Sequence, residues 1–225
     1  MKLGVYIINI LLFIGVSIGN YFYNTVGTLT IKSITSAGFV LIGLINLIYA
    51  LVVLKTKDKK FVIIQFAGLV FAMLGDIILE PSFIVGAMLF AVGHILFFVA
   101  YCFLEKFNWK DLIYGVVIFI PATLFILLAP IFKFESVLMQ IVCVVYAVII
   151  SLMLGKAISN FVRNRSVLNL IILIGSFLFL FSDLMLLLRH FANLSRVFGY
   201  LCLATYYPAE CILAHSLLHT NKAEK

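Results

Sequence analysis

The segment KFVIIQFAGLVFAMLGDIILEPS, Lys60 to Ser82, holds a run that is apolar apart from Gln65, Asp76 and Glu80. Its length, about twenty residues, is what a helix needs to cross about 30 Å of hydrocarbon. Lipid leaves only helices and closed barrels able to satisfy their backbone groups, and a barrel strand would alternate apolar and polar residues. This segment does not alternate, so it reads as a transmembrane helix. It also raises a question, because such a helix should not carry two carboxyls one turn apart without cause.

Working outward, the same pattern recurs along the chain. Of its 225 residues, 65% are hydrophobic and 11% charged, far from the balance of a soluble domain. Spans are predicted near 3–23, 31–54, 60–80, 82–104, 111–130, 135–157, 168–189 and 196–219. The fold class is therefore all-α: a polytopic membrane bundle of eight transmembrane helices, expected to form a single integral membrane domain over 1–225. The turn Glu80-Pro81-Ser82 is so short that the third and fourth helices must be antiparallel neighbours. The first span has neither a long basic leader nor a small-residue cleavage site, so it is read as retained. Cys102, Cys143, Cys202 and Cys211 all fall inside spans without paired spacing, so the sequence suggests no disulfide framework, metal site or cofactor.

A net charge of +7 raises the possibility of nucleic acid, but the basic residues sit at the ends of spans and topology accounts for them better. If the loop KTKDKK is cytoplasmic, twelve of the 16 Lys and Arg share its side, including Lys222 and Lys225, and only Lys32, Lys133, Arg189 and Arg196 face the other. The expectation is a bacterial inner-membrane protein with both termini inside.

Polar residues within spans fall on shared faces. Gln65, Ala72, Asp76 and Glu80 follow one face of the third helix, so the opening pair points one way. In the seventh helix Asn169, Ser176, Asp183 and His190 recur every seven residues, with Gly175 and Ser182 beside them to admit another backbone. The second helix presents Lys32, Ser36, Gly43 and Asn46, the fourth His94 and Tyr101, and the eighth Cys202, Tyr206 and Glu210 beside Pro208. Counting rise per residue puts Asp76 and Asp183 level, roughly 6 to 10 Å from the outer ends of their helices. His94 and Glu210 come out about 18 to 21 Å deep, where they are expected to floor a pocket opening outward. The acidic helices also align without gaps, GLVFAMLGDIIL from Gly68 on GSFLFLFSDLML from Gly175, an offset of 107 residues. A possible 4+4 parallel internal repeat would relate the two aspartates by an axis along the membrane normal.

At these residues the chain resembles the YhhN family of lysoplasmalogenase-like membrane proteins. The likeness rests on LGDIILE and GHILFFVAY in the third and fourth helices, FLFSDLMLLL and ATYYPAE in the seventh and eighth, and Lys32 near the start of the second. It implies hydrolysis of the vinyl ether bond of a lysoplasmalogen to a fatty aldehyde and a glycerophospho-ethanolamine or -choline. By matched position it implies roles for Asp76, Asp183, His94 and Tyr206. Glu210 stands where the resemblance leads one to expect glutamine, and Phe97 or Phe98 where it leads one to expect tyrosine.

The chemistry suits the residues. Vinyl ether hydrolysis protonates a carbon, and water then captures the resulting alkoxycarbenium ion. Two carboxyls close together in lipid share one proton, so one donates while the other stabilises the cation or activates water, as around the cation-like transition state of glycoside hydrolysis. Asp76 and Asp183 are the expected catalytic pair. His94, Tyr206 and Glu210 are expected to orient water or the ether oxygen, and Lys32, Arg189 and Arg196 to hold the lipid phosphate. The partners so implied are a lysophospholipid substrate and membrane lipid, without nucleic acid. Glu80, at the edge of its span, reads as a solvated loop residue. A competing reading is an ion-coupled or small-molecule transporter, which would also use intramembrane carboxyls and a helix broken at Pro208. A catalytically silent scaffold is the third.

Overall fold

The run that begins at Lys60 folds as α3, Lys59–Ile78, and the chain turns back within 79–82 to start α4, Phe83–Leu104. Pro81 lacks the N–H that a continuing helix would need, so the break falls at Glu-Pro-Ser as expected. The hairpin closes tightly because Gly86 has no side chain; a Cβ there would lie 2.5 Å from Leu79 Cα. Further along, Gly75 and Gly68 receive the rings of Phe90 and Phe97. Membrane helices associate by such small-residue packing, since lipid tails provide no hydrophobic drive between them.

The structure is a computed structural model that describes residues 2–221. Lys222 and Lys225, part of the charge asymmetry, lie outside the described residues. Among those described the chain is helical, with eight helices long and apolar enough to cross a membrane. The others are α1 (Lys2–Val26), α2 (Leu29–Ile48, continued by a π-turn, Tyr49–Val53), α5 (Trp109–Leu128), α6 (Val137–Arg163), α7 (Val167–Phe191) and α8 (Arg196–His215, followed by a 3₁₀ turn, Ser216–His219). The predicted spans hold to within a few residues except at the end of α6, which runs on to Arg163 rather than stopping near 157. Its last turns stay helical because Lys156, Ser159 and Asn160 find protein partners there: Lys156 and Ser159 reach Asp111, and Asn160 donates to the Tyr101 carbonyl.

The helices pair as antiparallel hairpins, α1 with α2, α3 with α4, α5 with α6 and α7 with α8. Two helices join the hairpins, α2 packing on α3 and α8, and α6 on α4 and α7. Phe39, Leu69, Phe97, Phe179 and Leu213 are buried at the centre, while Ile10, Ile34, Val117 and Leu138 point outward as a lipid-facing surface would. Polar bonds tie helices across this core: Asn9 donates to Asn46 Oδ1 at 3.0 Å, Asn46 to the Ala214 carbonyl at 3.0 Å, and Tyr101 meets Ser176 at 2.9 Å. Gly175 does admit α8, lying against Leu213 and the Ala209 carbonyl. α8 passes through Pro208 as a continuous helix, so the interrupted span that the transporter reading relied on is not formed there.

α5 stands apart and packs chiefly on α6. It is pinned at its N-terminal end, where buried Asp111 meets Lys156 Nζ at 2.7 Å, accepts from Ser159 at 2.5 Å, and lies 3.4 Å from Arg163. Close by, a Cβ on Gly155 would come within 2.4 Å of the Gly115 nitrogen, so the two backbones touch. Fixed there, α5 leaves space between its other half and α4 and α7.

Candidate active site

Lys32 sits one turn into α2, whose first turn is capped by Thr28 accepting from the Ile31 N–H. Asp76 lies two residues from the end of α3, about 3 Å along the axis, and Asp183 lies eight from the end of α7, about 12 Å. The aspartates are thus at different distances from their helix ends, because α3 stops at Ile78 while α7 continues to Phe191. The bundle still brings both to one cavity of about 160 Å³, whose walls include Tyr23, Lys32, Asp76, Ser182, Asp183 and Tyr206.

The two carboxyls have different surroundings. Asp76 is buried, with Lys32 Nζ 3.2 Å from Oδ1, while Oδ2 accepts from Ser36 at 2.5 Å and from Tyr207 at 3.1 Å. Three partners thus hold it, an acceptor position on Oδ1 is left over, and a cation balances the charge. Asp183 Oδ2 accepts from the Tyr146 hydroxyl at 2.5 Å and lies 3.5 Å from His94 Nε2. His94 Nε2 is 2.7 Å from the same hydroxyl. Since the tyrosine proton goes to Asp183, Nε2 must carry the hydrogen that meets the tyrosine oxygen. The second oxygen of Asp183 takes no part in these bonds, and the side chain is 12% exposed.

Asp183, Leu79 and Phe90 also line a second, apolar space of about 360 Å³. This groove runs between α4, α5, α6 and α7 past Phe83, Ala87, Pro121, Phe125, Ala147 and Ile150. Its size falls within the range of small-molecule sites. Asp183 therefore stands in the walls of both the cavity that holds the two aspartates and the apolar groove.

Of the residues singled out from sequence, Asp76, Asp183, Tyr206 and Lys32 come together. His94 and Glu210 do not floor the cavity as expected. The rings of Phe90, Phe179 and Tyr206 pack edge to face across that depth, with Phe179 also against His94, and Tyr206 closes the wall while donating to the Ala72 carbonyl at 3.2 Å. His94 stands behind Asp183, reaching it through Tyr146, and Glu210 is fully buried with neither carboxyl oxygen hydrogen bonded. Lys32 is not a free interfacial cation: its side chain is only 5% exposed and lies between Asp76 and Glu80. Arg189 turns its guanidinium to the Leu194 carbonyl at 3.1 Å, and Arg196 is exposed at the start of α8; neither lines the cavity. Glu80 is more than a solvated loop residue, since it lies 3.8 Å from Lys32 and accepts from the Tyr23 hydroxyl.

Sequence reasoning missed Tyr23, Tyr146 and Tyr207. Tyr207 adjoins Tyr206 in the TYY motif and was within reach. Tyr146 stands alone among the apolar residues of α6, with nothing in its neighbours to mark it.

A model of the YhhN family matches residues 5–217 of this chain. No curated protein matches it, and no solved structure does.

Proposed function

Because this chain belongs to the YhhN family, we propose that it is a membrane ether hydrolase that cleaves the vinyl ether bond of lysoplasmalogens. The observation that carries this reading is that Asp183 lines both the two-aspartate cavity and the apolar groove. A lysoplasmalogen has the matching parts: an alkenyl chain for the groove, a polar glycerophosphate for the cavity, and a vinyl ether between them.

Asp183 is the carboxyl that faces both spaces, so it is placed to protonate the alkenyl carbon next to the ether carbon. The resulting cation is shared between carbon and ether oxygen. Asp76, on the polar side with Lys32, faces that cation and orients the water that attacks it. Water adds its oxygen to the ether carbon and gives up a proton to a carboxylate. The hemiacetal then collapses to a fatty aldehyde and the glycerophospho alcohol, and the site regains its starting proton count. The test is purified protein incubated with a lysoplasmalogen, with free aldehyde as the expected product. The saturated ether analogue should bind and remain intact, since it has no alkene to protonate. Absence of aldehyde from an intact, lipid-binding protein counts against the reading.

Tyr146 has a role that can be checked separately. Its hydroxyl fixes the orientation of Asp183, and a hydrogen bond to a charged group contributes about 1.5 kcal/mol or more. Tyr146→Phe should lower kcat about tenfold with little change in KM. An unaltered kcat would remove Tyr146 from the site.

The orientation we propose puts both termini and the 55–60 loop in the cytoplasm, from the Lys and Arg asymmetry. A cysteine introduced at exposed Lys57 should resist an impermeant thiol reagent in intact cells and react after permeabilisation. Labelling in intact cells would turn the cavity toward the opposite face.

A further inference from the structure

We propose that Glu80, held by Tyr23 at the rim of the polar cavity, is the binding group for the ammonium of a zwitterionic phospho-amine head group, and that Lys32 exchanges Glu80 for the phosphate when substrate binds. This rests on the reading of the cavity as a lysophospholipid site.

The cavity and its rim hold three carboxyl side chains, Asp76, Asp183 and Glu80, around a single ammonium, that of Lys32. A head group ending in phosphate alone would bring more negative charge to a place already short of cations. A phospho-amine brings its own cation.

The contacts of Lys32 show where each part would go. Its bond to Asp76 is short and buried, 3.2 Å with 4% exposure of the aspartate side chain. Its contact with Glu80 is long, 3.8 Å, and the Glu80 side chain is 33% exposed. Asp76 is held by Lys32, Ser36 and Tyr207, whereas among the described residues Glu80 has only the Tyr23 hydroxyl besides Lys32. The Lys32–Glu80 contact is thus the one an incoming phosphate can displace at least cost. Once displaced, Glu80 stays at the rim, because the Tyr23 hydroxyl still donates to it. The Tyr23 ring already lies beside a cation, with Lys32 Nζ 5.4 Å from its centroid, so an ammonium docked on Glu80 also meets an aromatic face. One ion pair, Lys32–Glu80, becomes two: lysine to phosphate and glutamate to ammonium. Arg189 does not supply a substitute, since its stem lies against Gly199 and its guanidinium is bonded to the Leu194 carbonyl.

The arrangement also discriminates against anionic heads, which would leave Glu80 facing a phosphate with no partner. The experiment compares wild type and Glu80→Gln on 1-alkenyl lysolipids with phosphoethanolamine, phosphocholine or a terminal phosphate as head. Glutamine keeps the size and can still accept from Tyr23. For the zwitterionic heads KM should rise about fivefold, the scale of a partly exposed ion pair, with a smaller effect on kcat. For the terminal phosphate KM should fall, because the repulsion is gone. Tyr23→Phe, which keeps every charge, should move the zwitterionic KM in the same direction by less. The same head-group series of saturated ether lysolipids, read as displacement of a labelled lipid, should give the same order without chemistry. If no vinyl ether is cleaved but this order and its narrowing in Glu80→Gln persist, the hydrolase reading fails and the head-group site stands. If Glu80→Gln shifts every head group equally, or none, the head-group site is overturned whatever happens to the aldehyde.

Discussion

Asparagine at Asp76 or at Asp183 should each lower aldehyde release by at least about a hundredfold, a loss of roughly 2.7 kcal/mol in transition-state stabilisation. The substitution keeps size and one acceptor oxygen while removing both the transferable proton and the negative charge. If the two carboxyls act as one unit, the double variant should lose far less than the sum of the singles. Asp183→Asn is the cleaner of the two. Its carbonyl can still accept from Tyr146, and among the described residues no basic side chain apart from His94, at 3.5 Å, depends on it. Asp76→Asn leaves buried Lys32 with the looser Glu80 as its remaining carboxylate, so loss of stability will accompany loss of chemistry. Thermal unfolding and binding of the saturated ether analogue separate the two effects. Near wild-type turnover by both variants, each normally inserted, would end the two-carboxyl mechanism and return these acids to structural service.

Lys156→Met should destabilise the folded protein by about 3 kcal/mol, the lower end for breaking a buried ion pair. The lysine is fully buried with its ammonium 2.7 Å from Asp111, but the aspartate would retain Ser159 and Arg163. Adding Asp111→Asn should recover part of the loss, because the buried carboxylate would otherwise be left with only the longer, partly exposed Arg163 as its cation. Unfolding in detergent reads this directly. Equal losses in the single and double variants would mean that the pair is not what pins α5 to α6. A weakened clamp should also loosen the groove, whose α5 wall has its main attachment on α6.

The helical bundle was legible because lipid enforces it: apolar runs of this length have one inexpensive conformation, and Pro81 and the glycines mark where it turns and where backbones meet. The aspartates were legible for the same reason, since a carboxyl inside a span stands out against apolar neighbours. His94 and Glu210 are fully buried but do not floor the cavity as their depth suggested. Their distance from the cavity was not visible, because axial counting gives depth but not which aromatic ring intervenes. Asp111 and Lys156 escaped notice because each lies at the end of its predicted span, 111–130 and 135–157, where a charged residue ordinarily reaches water, and only packing brings them together.

By itself the sequence determined the class of solvent, the helices it requires, and the family to which the chain belongs. Periodicity and hydropathy are local properties of each segment, and they carry that much. Only the tertiary structure decided that Asp76 takes a lysine and two hydroxyls while Asp183 takes Tyr146, with His94 behind it, and faces the groove. Those partners come from α2, α4, α6 and α8, and the spacing along one helix holds no record of what its neighbours place opposite.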